Sequence, residues 1–187
     1  MGKQYPEISD SHQEFIKDQK IFFVGTATAD SRVNVSPKGM DSFKVLDKNK
    51  IAWLNVTGST NESSAHVQEN PRMTIMFAAF EGKPMILRLF GKAEVIHKND
   101  ANWNEMYTLF KPMFGVRQIF LMDVDMVQSS CGMSIPFYEY TQEREELSSW
   151  AEKAGDVGIE EFWEKNNQVS IDGKQTHILS KNIPKTF

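Results

Sequence analysis

The sequence is poor in several features that would place it in a functional class at once. Its 187 residues include one cysteine, Cys131, which excludes an internal disulfide and a cysteine-rich zinc site. No apolar stretch approaches the ~20 residues of a membrane-spanning helix, and the first residues lack the apolar core of a signal peptide. These absences predict a protein of the reducing cytoplasm with no membrane attachment.

Positive charge is also scarce. Lysine and arginine total 21 against 25 aspartate and glutamate, so the net charge is −4, and no long basic run occurs. Nucleic-acid binding requires a surface that neutralises phosphates, so we expect no nucleic-acid partner. With 40% apolar and 11% aromatic residues, the chain is nevertheless able to bury a core.

Motifs for the common kinds of active site are missing as well. Only Glu62 and His66 have the spacing of two ligands on one helical face, which is short of a catalytic zinc site, so we expect no metal. The patterns GxSxG, GxGxxG and GxxxxGK[ST] do not occur, and no catalytic residue is identified. Cys131 is interpreted as a small buried apolar side chain rather than a reactive thiol.

Short β-branched and aromatic runs are what the sequence does contain. Six of them predict strands, at 21–28, 32–38, 51–56, 73–80, 85–97 and 116–127, with Gly91 as a bulge candidate. Their short connections favour antiparallel pairing, because parallel strands need long crossovers. Helical patterns cover 62–69, 100–110 and 141–166, and Gly155 and Gly158 interrupt the last of these. We expect a mainly β protein of the α+β class with an antiparallel barrel core.

Two polar segments are candidates for a ligand site. One lies between a strand and a helix and contains Thr57, Gly58, Ser59, Thr60, Asn61 and Ser64. Its hydroxyls and free backbone N–H groups meet the positive end of a helix dipole, which favours a phosphate, although an ordinary capped turn has the same composition. The other lies at a strand end and contains Val35, Ser36, Pro37 and Lys38.

Taken together, these segments resemble the pyridoxamine 5′-phosphate oxidase-like family of flavin-binding split barrels. The resemblance rests on VNVSPKGMDSF at 33–43, the long block from NVTGST to AEVI at 55–96, FLMDVDMVQSSCGMSIPFYEY at 120–140 and NNQVSIDG at 166–173. It implies a homodimer of six-stranded antiparallel split barrels with peripheral helices, and FMN in grooves between the subunits. The FMN-binding domain would span 1–140, and the acidic, helical region 141–187 would be an appendix and tail of the same unit.

Carried over by position, the resemblance implies that residues 35–38 border the flavin ring and that 57–61 with Ser64 hold its phosphate. Where the pyridoxal-phosphate-making enzymes of the family carry an Arg-Lys pair, this chain has Thr60-Asn61. Two charge-assisted hydrogen bonds of ~1.5–3 kcal/mol each are therefore missing. FMN binding should be weaker unless backbone N–H groups or an arginine compensate, the candidates being Arg72, Arg88 and Arg117.

The function implied by the resemblance is that of an FMN-dependent oxidoreductase acting on an unidentified small molecule, with a nicotinamide among the candidate electron donors. The arginine and histidine residues that hold pyridoxamine phosphate in the vitamin-making enzymes have no match in the C-terminal tail, so we do not expect that activity. The alternative is a non-catalytic protein that binds or senses a flavin, haem or deazaflavin, because a fold does not determine a function.

Overall fold

A computed structural model describes residues 2–184, so the first residue and the last three residues of the expected appendix lie outside it. The described strands are β1 Lys3–Tyr5, β2 Phe22–Thr26, β3 Asn34–Lys38, β4 Phe43–Asp47, β5 Lys50–Val56, β6 Arg72–Ala78, β7 Ile86–His97 and β8 Val116–Ser130. The described helices are α1 Asp10–Asp18, α2 Glu62–Glu69, α3 Trp103–Tyr107, α4 Glu146–Asn166 and α5 Ile178–Asn182. Within residues 2–184, no helix combines the length and apolar character needed to cross a bilayer.

The strands form one antiparallel sheet in the order β3-β2-β6-β7-β8-β5-β4, with β1 paired to β8. Strands β3 and β4 are consecutive in the chain but stand at opposite ends of this order. Only residues 39–42 connect them, and so short a segment spans at most ~15 Å. The ends of the sheet therefore approach each other, which confirms the predicted antiparallel split barrel. The described strands number eight rather than six because β1 and β4 were not expected.

Strand β5 is covered on both of its faces. Successive side chains of a strand point to opposite sides, so neighbouring residues of β5 enter two different cores. Trp53 of β5 faces the main core, where its ring is stacked on Phe120 at 4.6 Å between centroids. Its neighbours Ala52 and Leu54 belong to a second core, in which Trp103 of α3 covers the sheet. A strand buried on both faces has little freedom to shift its register, so the residues that follow β5 are positioned firmly.

Strands β7 and β8 remain paired through one irregularity at Phe90 and Gly91. A Cβ at position 91 would lie 1.9 Å from the carbonyl oxygen of Asp123, a contact that no side chain can adopt. The bulge expected at this glycine is therefore confirmed, and its cause is the close approach of the two backbones.

The helices agree with their sequence patterns except in some details. Helix α2 has the predicted bounds, but Asn61 makes no side-chain cap bond although it occupies the N-cap position. Helix α4 bends at Gly155, whose φ is 62°, in agreement with the expected interruption. Cys131 is exposed, so the expectation of a buried cysteine was wrong. It follows β8 directly, where the chain leaves the sheet.

Candidate functional site

A cavity of about 270 Å³ lies at the split of the barrel. Strand β3 forms one wall, and β5 with the loop after it forms the other. The connection between β3 and β4, the first turn of α2, one residue of β8 and one of α4 complete it. The lining residues are Asn34, Ser36, Pro37, Lys38, Gly39, Met40, Ser42, Trp53, Leu54, Asn55, Val56, Thr57, Gly58, Ser59, Thr60, Glu62, Ser63, Arg117 and Leu147.

The structure brings most of the predicted cofactor-binding residues to this cavity. Those in its lining are Ser36, Pro37, Lys38, Thr57, Gly58, Ser59, Thr60 and Arg117. They come from three distant segments of the chain, which meet because β3 and β5 stand near opposite ends of the sheet. The two polar segments singled out in the sequence therefore face each other across one space.

The remaining predicted residues lie outside the lining. Val35 alternates with its neighbours along β3 and is 64% exposed. Ser64 is fully buried in α2, and its hydroxyl accepts a hydrogen bond from Gln68. Asn61 is buried below the loop. Arg88 lies on β7, where its Nη1 donates to a serine hydroxyl of β8, and is not in the lining.

Arg117 is the most deeply buried charge of the cavity, with 5% of its surface exposed. Its Nε donates to Asn55 Oδ1 at 2.6 Å, and its Nη1 donates to the Thr60 carbonyl at 2.9 Å and to Asn167 Oδ1 at 2.7 Å. All three acceptors are neutral. Burial lowers the pKa of Arg117, but a guanidinium keeps its charge at neutral pH.

This arrangement leaves part of the Arg117 side chain without a protein partner. None of the ion pairs found in residues 2–184 includes Arg117. Its Nη2 group makes no hydrogen bond to the described part of the chain, since the three bonds use Nε and Nη1. The cavity is therefore bordered by a buried cation that lacks a counter-ion and retains two N–H donors.

A buried network of amide side chains holds this region. Asn55 Oδ1 also accepts from Gln118 Nε2 at 3.1 Å, and Gln118 Nε2 donates to Asn61 Oδ1 at 2.6 Å. This contact explains why Asn61 does not cap α2. Networks whose members are all partnered rigidify a site. Sequence reasoning did not assign roles to Asn55, Gln118 or Asn167, although Asn167 lies in the NNQVSIDG block.

Lys38 is the second cation of the cavity. Its Nζ lies 5.4 Å from the centroid of the Trp53 ring. Burial and the nearby charge of Arg117 lower the pKa of Lys38 to about 8. Most Lys38 side chains are therefore protonated at neutral pH, and an anion in the cavity would raise this pKa again.

The first turn of α2 adds backbone N–H groups, which a helix leaves free at its N-terminus. Glu62, in the same turn, does not offer both carboxylate oxygens to the cavity. Its Oε1 accepts the Ile171 N–H at 2.9 Å, and its Oε2 lies 3.9 Å from His66 Nε2. Among the residues that the structure describes, no cluster of three or more potential metal ligands occurs.

Comparison with known proteins assigns the family. The family model described as pyridoxamine 5′-phosphate oxidase matches residues 8–131. The pyridoxamine 5′-phosphate oxidase family protein ustO of Aspergillus flavus is 34% identical over an alignment of 187 positions, which covers 90% of this chain and 75% of ustO. The chain therefore belongs to the pyridoxamine 5′-phosphate oxidase family.

Solved structures share the fold at lower sequence identity. HupZ of group A Streptococcus matches with a TM-score of 0.56 and 17% identity, over 66% of this chain and 99% of HupZ. A Lactobacillus delbrueckii protein classed with pyridoxamine 5′-phosphate oxidases matches with a TM-score of 0.52 and 18% identity, over 66% of this chain and 94% of that protein. The family model ends before α4, so Asn167 lies beyond the matched region.

Proposed function

We propose that this chain is a flavoprotein that binds FMN in the cavity and uses it as an oxidoreductase acting on a small molecule. The observation that carries the proposal is Arg117, a buried cation whose protein partners are all neutral. An isolated buried charge destabilises a fold by several kcal/mol. An anionic ligand that supplies the missing counter-ion offsets this cost and stabilises the folded state.

The donors at the loop end of the cavity fit a phosphate monoester. Arg117 Nη2 has two N–H groups with no partner among residues 2–184, Ser59 and Thr60 carry hydroxyls in the lining, and α2 begins beside them. Charge-assisted hydrogen bonds of this kind are the strong ones for phosphate recognition. Arg117 would thus supply part of what is lost where Thr60-Asn61 replaces the Arg-Lys pair.

The lining also suits a planar, partly apolar group. Its apolar side chains include Pro37, Trp53, Leu54, Val56 and Leu147, in addition to the Lys38 cation. A pocket with apolar walls and a few placed polar groups is typical of cofactor sites. FMN, when bound, supplies the electron-transfer chemistry that the side chains lack. Lys38 contributes positive charge that stabilises a negatively charged ligand.

Family membership supports redox chemistry, since the matching model is named for an oxidase. The redox partner remains a small molecule of unknown identity, and a nicotinamide is the first donor to test. We place the protein in the cytoplasm, because its one cysteine is free and exposed, which suits a reducing compartment.

We further propose a homodimer, with the edge strand β3 as part of its interface. Val33 and Val35 expose 73% and 64% of their surfaces beside this strand, and Ile171 exposes 71%. Exposed apolar groups of this kind mark association surfaces. Sedimentation velocity should give twice the chain mass, and a monomer at micromolar concentration would refute the dimer.

The proposed cofactor is tested by the visible spectrum of the purified protein and by identification of the chromophore that heat releases. We expect a two-band flavin spectrum, release of FMN, reduction by a nicotinamide under anaerobic conditions, and reoxidation of the flavin once oxygen is admitted as the electron acceptor. Bound FMN that does not turn over would favour the alternative of a non-catalytic flavin protein. A haem spectrum, or a colourless protein that added FMN does not stabilise, would refute the proposal.

A further inference from the structure

Residues that follow the family match form hydrogen bonds to the loop that lines the cavity. Trp163 of α4 donates its Nε1–H to Thr57 Oγ1 at 2.8 Å. Asn167, just after α4, donates its Nδ2–H to the carbonyl of Gly58 at 3.1 Å. Two successive residues of the loop after β5 are thus fastened by side chains that lie more than a hundred positions later in the sequence.

Asn167 also contacts the buried cation. Its Oδ1 accepts a hydrogen bond from Arg117 Nη1 at 2.7 Å, so one amide touches both the loop and the guanidinium. Asn167 is fully buried, and its backbone carbonyl accepts from Thr176 Oγ1 at 2.6 Å. The amide is therefore held in place by the tail that follows it.

The tail is in turn attached to helix α2. The Thr176 carbonyl accepts from Gln68 Nε2 at 2.8 Å. The Lys174 ammonium lies 2.8 Å from Glu69 Oε2, with 15% of its side chain exposed. The tail and the site thus share one helix, whose first turn borders the cavity.

We propose that the segment 163–176 is a built-in part of the anion site and that Asn167 is its positioning residue. A neutral amide orients the Arg117 guanidinium without cancelling its charge, whereas a carboxylate at the same place would serve as a counter-ion and compete with the ligand. This inference rests on the proposed function in one respect, namely that the anion is the phosphate of FMN.

This arrangement of Arg117 and Asn167 would compensate for the absence of the Arg-Lys pair in phosphate binding. One arginine, held by three neutral acceptors, retains its full charge for a ligand at the loop that Asn167 also fastens. Because coupling between two sites is reciprocal, a bound anion should also stabilise the segment 163–176.

The test compares Asn167→Asp and Asn167→Ala with the matched control Asn166→Ala, whose amide only bonds the Phe162 carbonyl within α4. Affinities for FMN, riboflavin and inorganic phosphate are measured by calorimetry, with thermal unfolding of each variant. We expect Asn167→Asp to weaken FMN and phosphate by about tenfold or more, and riboflavin by far less, because the new carboxylate pairs with Arg117. Asn166→Ala should bind like the natural chain.

A merely structural role of Asn167 would give lower unfolding temperatures but unchanged affinities, and that result would overturn the inference. Should the Asn167 variants fail to fold, hydrogen exchange of the natural chain decides instead. Amides of 163–176 should exchange more slowly when FMN or phosphate is added, and equal rates would overturn the inference.

The phosphate measurements separate this inference from the proposed function. If the natural chain binds phosphate but not FMN, and Asn167→Asp weakens phosphate, the flavin proposal fails and the positioning role stands. If FMN binds and Asn167→Asp has no effect on it, the positioning role alone fails. Failure to bind either ligand refutes both.

Discussion

The substitution Arg117→Gln removes the charge on which the proposed phosphate site depends. Two N–H groups of Arg117 Nη2 have no partner in the described part of the chain, so a bound phosphate would gain two charge-assisted hydrogen bonds. At the lower value of ~1.5 kcal/mol each, their loss is about 3 kcal/mol. Since 1.4 kcal/mol corresponds to a tenfold change, FMN affinity should fall by about a hundredfold.

The substitution also affects the fold, so affinity for FMN alone would be ambiguous. Three acceptors, on Asn55, Thr60 and Asn167, lose a donor, which costs about 1–3 kcal/mol for each one left unsatisfied. Removal of an unpaired buried charge acts in the opposite direction. We expect a lower unfolding temperature together with the loss of phosphate recognition.

The ratio of FMN to riboflavin affinity isolates the phosphate, because the two ligands differ only in that group. Fluorescence titration of both ligands should show a strong preference for FMN in the natural chain and nearly none in Arg117→Gln. The control Arg144→Gln removes the same charge from an arginine whose side chain is 90% exposed, and its ratio should be unchanged. A preference for FMN that survives Arg117→Gln would refute the assignment of Arg117 to the phosphate.

Three further predictions concern Lys38, His97 and Gly91. Because the pKa of Lys38 is lowered to about 8, FMN affinity should fall as pH rises through 8, and a fluorescence titration of Lys38→Met should lack this step. Burial, together with repulsion from a nearby lysine, lowers the pKa of His97 in the folded protein to about 4. Between pH 6.5 and 4, His97 is therefore protonated in the unfolded chain but neutral in the folded one. Urea unfolding should therefore show stability falling by up to about 1.4 kcal/mol per pH unit between 6.5 and 4, and His97→Phe should flatten this slope. Gly91→Ala should cost more than about 3 kcal/mol in the same assay, whereas Gly58→Ala, whose Cβ meets no atom within 4 Å, should cost less than about 1 kcal/mol.

The results that contradict these predictions are equally definite. If the pH step in FMN binding persists in Lys38→Met, another titrating group causes it and its assignment to Lys38 is wrong. An acid slope that survives in His97→Phe means that other residues take up the proton. Equal stabilities of Gly91→Ala and Gly58→Ala would show that the backbones of β7 and β8 are further apart than described here.

Much of this protein could be read from local patterns in its sequence. Alternating β-branched and aromatic residues predicted the main strands, and the helical pattern at 62–69 predicted the bounds of α2. Gly91 and Gly155 marked a bulge and a bend, because glycine alone tolerates the close contact or the positive φ that each position requires. The loop at 57–61 was a candidate site from its composition, although small polar residues between a strand and a helix suit an ordinary capped turn equally well.

The tertiary structure decided which of these residues meet. Arg72, Arg88 and Arg117 are equivalent in the sequence, yet only the last borders the cavity, because β8 pairs with β5 and brings Arg117 beside Asn55. Asn167 contacts Arg117, which lies 50 positions earlier in the sequence, and Gly58, which lies 109 positions earlier. No local sequence pattern encodes contacts between residues so far apart. Local propensities therefore determined the elements of this protein, whereas the pairing of distant strands and the docking of the C-terminal segment decided where its buried charge lies.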